Sequence, residues 1–217
     1  MTAFDAGTEF DRQVQTLVDL GYPGLAGLSE SAFRDLAAPL RAPVVARAEH
    51  MAEPEEGRVP FVLVVPRAVV SLEDAVPLTT LASPRRTEPG VIERFFAPGE
   101  LERFVSLEEL AVPEKELYAV FDIDRGEEFC GTVPLEAFKV IEGRGRSVLT
   151  IEEGLALLTQ FPAALAKNKC WSVAGSRIGD PRVPAFWISK NAPKLGWCWE
   201  GNPHTWLGVA SAGARNV

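Results

Sequence analysis

The sequence predicts an α+β fold, with helices at the N-terminal end, a mixed middle part and an antiparallel, Trp-rich sheet at the C-terminal end. Residues 1–48 contain apolar side chains at helical spacing. Residues 59–166 alternate β-branched runs with helix starts, and residues 167–217 hold short aromatic runs between turn sequences. We therefore expect one integrated domain over residues 1–217, with these three stretches as its parts.

Two helices are predicted at the N-terminal end. Phe10, Val14 and Leu17 lie at helical spacing, and Thr8 precedes them as a candidate cap. A second helix is expected to begin after Ser29, whose hydroxyl can accept a hydrogen bond from a free backbone N–H. It is expected to end before Pro43, because proline has no amide hydrogen to donate.

The middle part is predicted to alternate strands and helices. Strands are expected at residues 60–66 and 117–124, and helices at residues 71–74, 134–142 and 150–161. Residues 99–112 are expected to form one helix or a pair of short helices. The clearest helix start is at Thr150 and Glu153, which have the spacing of a capping box. Ser106 and Glu109 have the same spacing and predict a helix restart.

The C-terminal part is predicted to be an antiparallel meander of four strands at residues 170–174, 184–189, 195–200 and 205–210. The intervening sequences contain Gly and Pro, which favour turns. All five Trp residues of the chain lie in this part: Trp171, Trp187, Trp197, Trp199 and Trp206. We expect large apolar side chains on both faces of the sheet, with the N-terminal helices as one cover.

Charge is divided unevenly along the chain. Residues 167–217 contain seven Lys and Arg residues against two Asp and Glu residues, which gives this part a net charge of about +5. Residues 1–166 have a net charge of about −13, and the whole chain has a net charge of −8. A cationic aromatic region on an acidic body favours binding of a small anion, or of an acidic protein partner. The isoelectric point near 5.0 argues against nucleic-acid binding, which needs a cationic face.

Composition also bears on the compartment. We see neither a secretory leader nor an apolar run of transmembrane length, so we expect a cytoplasmic protein with no membrane contact. The three Cys residues are widely spaced without a C-x-x-C motif, which favours reduced, buried thiols over disulfides or a zinc site. No metal site and no cofactor are predicted.

An ordered series of short motifs resembles a known family. The motifs are VFDIDRGEEF at 120–129, LTIEEG at 149–154, KNKC at 167–170, AGSR at 174–177, APKLGWCW at 192–199 and GNPHTWLG at 201–208. They are similar to a family of soluble actinobacterial proteins that carry domain of unknown function 5701. The resemblance extends over most of the chain from Val62 onward. It implies no particular activity, so candidate sites depend on residue chemistry alone.

The candidate ligand-binding residues are cations and indoles of the C-terminal part: Lys167, Lys169, Arg177, Lys190, Lys194, Trp197 and Trp199. Arg offers a planar fork for carboxylate, sulfate or phosphate, and indole walls exclude water. We expect these groups to converge on a pocket that binds a small anionic metabolite and supports, for example, transfer or elimination of sulfate or phosphate. The alternatives are solvated surface charges, indoles that only fill the core, and a cationic face that docks an acidic protein or a second subunit.

Two loops combine Gly with Arg. Residues 143–146 and residues 175–179 can each present backbone N–H groups to an oxyanion beside an Arg side chain. Neither loop matches a phosphate-loop or dinucleotide fingerprint. Turns that precede strands explain these glycines equally well.

The candidate catalytic residues are His204, Asp122 and Asp124. His204 belongs to the basic part, where a histidine can act as a general acid or base; the alternative is that it is hydrogen-bonded scaffolding. Asp122 and Asp124 lie on one face of a strand end, where carboxylates orient a substrate or hold a hard cation. The alternative is a salt bridge to Arg125 or Arg177. Cys170 and Cys198 are interpreted as small apolar fillers of the sheet, the alternative being a nucleophilic thiolate.

Overall fold

The computed structural model describes residues 4–83, 86–93 and 96–215. Within these ranges the chain forms six α-helices and three sheets, which confirms the α+β class. The helices are α1 (Ala6–Asp19), α2 (Tyr22–Leu25), α3 (Glu30–Ala48), α4 (Leu72–Ala75), α5 (Pro134–Gly143) and α6 (Ile151–Gln160). Short 3-10 helices lie at Val76–Leu78, Leu101–Arg103, Glu108–Leu110, Glu127–Phe129 and Pro162–Ala164.

The described residues contain eleven strands. They are β1 (Arg58–Val64), β2 (Val91–Ile92), β3 (Val105–Ser106), β4 (Tyr118–Asp124), β5 (Ser147–Val148), β6 (Cys170–Ser172), β7 (Ser176–Arg177), β8 (Arg182–Ser189), β9 (Ala192–Trp199), β10 (Leu207–Val209) and β11 (Ser211–Arg215). One antiparallel sheet has the order β1-β4-β11-β5. A second has the order β10-β6-β8-β9-β2, and β3 pairs with β7 alone.

Both N-terminal helices form, with two corrections. The cap of α1 is Asp5, whose carboxylate accepts the Thr8 N–H at 3.0 Å, so Thr8 lies inside the first turn. Helix α3 begins after Ser29 as predicted, but it continues through Pro43 to its end. Its buried face explains the continuation, because it extends past the proline and packs throughout: Phe33, Ala37, Leu40, Val44 and Ala48.

In the middle part, both predicted strands and the capping box at Thr150 and Glu153 are confirmed. Of the two expectations for residues 99–112, the pair of short helices is confirmed, as 3-10 helices at Leu101–Arg103 and Glu108–Leu110. The strand between them, β3, is not predicted; it pairs with β7, and Leu107 N–H donates to the Gly175 carbonyl at 2.9 Å. Backbone groups that a helix would use internally are hydrogen-bonded to a neighbouring strand instead.

The C-terminal meander forms only in part. Strands β6, β8 and β9 are antiparallel as predicted, but β10 lies parallel to β6, with Leu207 opposite Cys170. The chain then leaves this sheet, and β11 inserts between β4 and β5 of the other one. Glycine permits the close crossing here, since a Cβ on Gly208 would lie 2.2 Å from the Gly126 carbonyl oxygen.

Helix α6 lies between the two larger sheets. It packs on β1 and on β8, and all of its residues except Glu152 are buried. Helices α1 and α3 pack on β1 and β4, so the N-terminal helices cover the four-stranded sheet rather than the Trp-containing one. Most buried apolar residues form one cluster that extends from Ala6 to Ala212.

A side chain of α1 closes the outer edge of β1. The Gln13 amide is fully buried; its nitrogen donates to the Phe61 carbonyl at 2.9 Å, and its oxygen accepts the Leu63 N–H at 2.8 Å. A further strand at this edge would pair with backbone groups that include these two. Gln13 therefore takes the place of a fifth strand at this edge.

We expect Gln13→Leu to lower the free energy of unfolding in urea by about 2–4 kcal/mol, because it leaves two buried backbone groups without partners. The matched control is Gln15→Leu on the exposed side of the same helix. It should change stability by no more than about 0.5 kcal/mol. Equal effects for the two variants would contradict the role assigned to Gln13.

Candidate functional site

A buried ion pair fixes the position of β5, which forms one wall of the candidate site. Glu153 is fully buried, and Arg215 donates to its two carboxylate oxygens at 2.5 and 2.8 Å. The Tyr118 hydroxyl donates to the same carboxylate at 3.3 Å, and burial raises the pKa of Tyr118, so this group stays protonated. Arg215 also donates to the Ser147 hydroxyl and, at 2.6 Å, to the Val148 carbonyl.

A cavity of about 350 Å³ lies between α5 and residues 107–110; we call it the α5 groove. Its lining is largely apolar: Leu107, Leu110, Phe138, Ile141, Val148 and Ala174. Its polar lining residues are Glu109, Glu142, Arg146, Ser147 and Arg177. A second cavity of about 430 Å³ shares Leu107 and Arg177 with the groove, so Arg177 lies where the two meet. An apolar cleft with a few polar side chains is the usual form of a small-molecule site.

Arg177 is the basic group at this junction. It belongs to β7, whose pairing with β3 brings residues 107–110 against α5. Its Nη2 donates to the Glu200 carboxylate and, at 3.1 Å, to the Asp180 carbonyl. Its Nε and Nη1 have no hydrogen-bond partner among the described residues, which leaves three N–H donors of the guanidinium.

Arg146 lies at the other side of the groove and is more fully engaged. It donates from Nε to the Ser211 hydroxyl at 3.0 Å, from Nη1 to the Asp122 carboxylate, and from Nη2 to the Asp122 and Ser211 carbonyls. Four of its five donors are thus used. The two Gly/Arg loops that the sequence analysis considered separately therefore meet at one cavity.

Asp122 and Asp124 line a smaller cavity of about 190 Å³ that also includes Arg146. Their placement on one face is confirmed, but the expected salt-bridge partners are wrong. Asp122 pairs with Arg146, and Asp124 pairs with Arg58 at 2.9 Å. Arg125 is instead buried; it donates to the Ala164 carbonyl at 2.9 Å and pairs with Glu127.

A third acid of this small cavity is also paired with Arg. Arg144 donates to both carboxylate oxygens of Glu128, at 2.6 and 3.0 Å. These hydrogen bonds lower the pKa of Glu128 below its usual value. Asp122, Asp124 and Glu128 are thus all paired with Arg side chains, so none of these carboxylates is left unpaired to interact with a substrate.

Asp122 has an unusual backbone conformation for a strand residue, with φ at +52°. The register places Pro60 and Gly213 opposite it on the neighbouring strands. A Cβ on Gly213 would lie 2.7 Å from the Asp122 carboxylate, so a larger residue there would require the Asp122 side chain to move. Asp is one of the few residue types that tolerate positive φ.

The structure separates the basic residues that were expected to share one pocket. Lys190 lies in the turn between β8 and β9, whereas Glu200, the partner of Arg177, follows the other end of β9. Eight strand residues separate those ends by roughly 25 Å. The prediction that Arg177 and Lys190 converge is therefore wrong.

The remaining lysines have their own surroundings. Lys194 lies 3.7 Å from Glu93. Lys169 lies 3.3 Å from Glu56 and 3.6 Å from Glu127, and Lys167 is exposed. None of these lysines lines the α5 groove.

His204 and the candidate indoles lie outside the α5 groove as well. The His204 ring stacks on Trp206 at 5.1 Å, and its carbonyl accepts the Gly131 N–H at 2.8 Å. Trp197 and Trp199 share a face as predicted, with ring centroids 5.0 Å apart. Arg182 lies over the Trp197 ring at 5.1 Å, so this pair belongs to a cation–π stack.

Sequence reasoning missed most of the groove. Its apolar walls come from residues 107–110 and from one face of α5, two segments that are not adjacent in sequence. The Gly/Arg composition of residues 143–146 and 175–179 was the one available signal.

The cysteines have the properties of structural thiols. Burial raises the pKa of Cys170 and of Cys198 to about 11 and raises the pKa of Cys130. All three are free. At neutral pH such groups are protonated, and the thiolate is the nucleophilic form.

Over residues 4–83, 86–93 and 96–215, no group of three or more His, Cys, Asp or Glu side chains is placed to hold a metal ion. No helix in the same ranges has the length and apolar character needed to cross a bilayer.

We expect Asp122→Val to lower the free energy of unfolding by about 2–3 kcal/mol, because a β-branched residue is strained at positive φ. Asp122→Asn should cost about 1 kcal/mol or less, since Asn tolerates this conformation and a largely exposed ion pair contributes little. Urea titration of both variants measures the difference. An Asn variant as unstable as the Val variant would show that charge, not conformation, matters here.

We expect the alkylation rate of Cys198 by iodoacetamide to rise about tenfold per pH unit between pH 8.5 and 10, because its pKa is raised to about 11. Labelling is followed peptide by peptide with mass spectrometry. In urea-unfolded protein, the control, the rate should level off near pH 9. A native rate that levels off at or below neutral pH would instead identify a reactive thiolate.

Comparison with known proteins places the chain in a family. No curated protein matches the chain, and no solved structure matches it. Residues 16–217, nearly the whole chain, match the model described as "Family of unknown function (DUF5701)". The chain belongs to this family of unknown function.

Proposed function

We propose that the chain binds a small anionic metabolite with an apolar body in the α5 groove, and that Arg177 binds its carboxylate or phosphate. The observation that carries the proposal is that Arg177 lines a largely apolar cavity and has three guanidinium N–H donors without a hydrogen-bond partner among the described residues. Its side chain is only 18% exposed, so a hydrogen-bonded charge here is weakly screened by solvent.

The rest of the groove supports the same function. Its volume of about 350 Å³ suits a metabolite, and its walls of Leu, Ile and Phe side chains favour an apolar body. Arg146 adds positive charge, but its remaining donor capacity is small, so its main contribution is to hold the wall in place.

The proposal concerns binding and includes no chemical step. His204 does not line the groove, and Asp122 and Asp124 face a different cavity, where Arg side chains pair with them. Docking of an acidic partner has less support, because Lys169, Arg177 and Lys194 already face acidic residues of the same chain. A small anion, by contrast, can bind to the N–H donors of Arg177 that have no hydrogen-bond partner among the described residues.

We expect hexanoate and phenyl phosphate to raise the melting temperature, while the neutral analogues hexanamide and phenol do so much less. A ligand at about 100 times its Kd stabilises by about 2.7 kcal/mol, or about 5–10 °C for a chain of this size. Arg177→Gln should abolish the shift, and Arg177→Lys should retain part of it.

The control is Arg41→Gln, which removes an exposed guanidinium of α3. It should leave the ligand-induced shift in melting temperature unchanged, because Arg41 does not line the groove. Each shift is measured against the melting temperature of the same variant without ligand, so a change in basal stability does not enter. Equal shifts with parent protein and Arg177→Gln would refute the proposed role of Arg177.

A further inference from the structure

Two carboxylates in the α5 groove have no partner of opposite charge. Glu109 lies on the 3-10 turn Glu108–Leu110, and Glu142 lies on the last turn of α5. Both side chains are exposed, and neither forms a hydrogen bond or an ion pair with any residue in the described part of the chain. Glu142 also lies at the negative end of its helix, where a carboxylate is disfavoured.

The arginines of the groove do not offset this charge. Arg146 is paired with Asp122 and Arg177 with Glu200, and both acids lie outside the groove. The groove therefore presents two uncompensated negative charges together with the unused N–H donors of Arg177. A ligand with only negative charge gains from Arg177 but is weakly opposed by Glu109 and Glu142, whose exposed carboxylates are screened by water.

We propose that the ligand of the α5 groove is a zwitterion with an apolar body, of the size of an apolar dipeptide. This inference rests on the proposed function and specifies its ligand class. The carboxylate binds Arg177, the ammonium group lies near Glu109 and Glu142, and the apolar side chains contact Phe138 and Ile141. Charge complementarity selects this class, because an ammonium group turns the repulsion from the two acids into attraction.

The groove has room for such a molecule. Its volume of about 350 Å³ exceeds what a single small amino acid fills, and it lies within the range of sites that enclose small ligands. The apolar side chains come from both walls, Leu107 and Leu110 on one and Phe138 and Ile141 on the other. Two apolar side chains of a dipeptide can each contact one wall.

The test is isothermal titration calorimetry with L-leucyl-L-leucine and two derivatives. N-acetyl-leucyl-leucine lacks the ammonium group, and leucyl-leucine amide lacks the carboxylate. We expect each derivative to bind at least about tenfold more weakly than the zwitterion. Glu142→Gln and Glu109→Gln should each weaken binding of the zwitterion severalfold and leave the affinity for the N-acetyl derivative the same or higher. Glu136→Gln, an exposed carboxylate of the same helix outside the groove, is the control and should change neither affinity.

Two results overturn the inference. If the N-acetyl derivative binds as tightly as the zwitterion, and Arg177→Gln abolishes that binding, the groove binds simple anions; the zwitterion is then rejected and the proposed function stands. If none of the three peptides binds, the inference is also rejected. In that case hexanoate and phenyl phosphate decide the proposed function independently.

Discussion

The buried pair of Glu153 and Arg215 is the interaction on which the arrangement of the two sheets depends. Glu153 comes from α6, which lies between the sheets, and Arg215 comes from β11, the strand that the chain forms after it has crossed from the five-stranded to the four-stranded sheet. A buried carboxylate without its cation costs several kcal/mol, so the chain reaches low free energy only when β11 is inserted between β4 and β5. The same guanidinium holds β5, and β5 supplies one wall of the α5 groove.

Local signals in the sequence were reliable where local chemistry decides the structure. The Ser29 cap, the capping box at Thr150 and the two long strands of the middle part form as predicted. Failures occurred where distant residues compete with local preference. Pro43 stays within a helix because the helix has a continuous buried face, and residues 105–106 form a strand because β7 lies beside them. Neither partner is adjacent in sequence, so spacing alone did not reveal it.

The candidate site was predicted from a gradient of charge, and the structure shows why a gradient is a weak guide. Basic residues that are close in sequence, such as Arg177 and Lys190, are distributed along a hairpin whose ends are far apart. Most of the Lys and Arg residues of the C-terminal part are paired with Glu residues from residues 1–166. Arg177 differs from the other cations because it has N–H donors without partners among the described residues and lines an apolar groove. This property arises from three-dimensional packing and cannot be inferred from amino-acid composition.

The contact between Gln13 and β1 has a consequence for the behaviour of the molecule in a crowded solution. An exposed strand edge is a template on which a second polypeptide can add by backbone pairing, the first step towards fibrous aggregates. Here the amide of a helical side chain is hydrogen-bonded to two backbone groups in the middle of that edge, the Phe61 carbonyl and the Leu63 N–H. The Gln13 side chain thus protects this strand edge from pairing with a second molecule, and it does so without an additional strand.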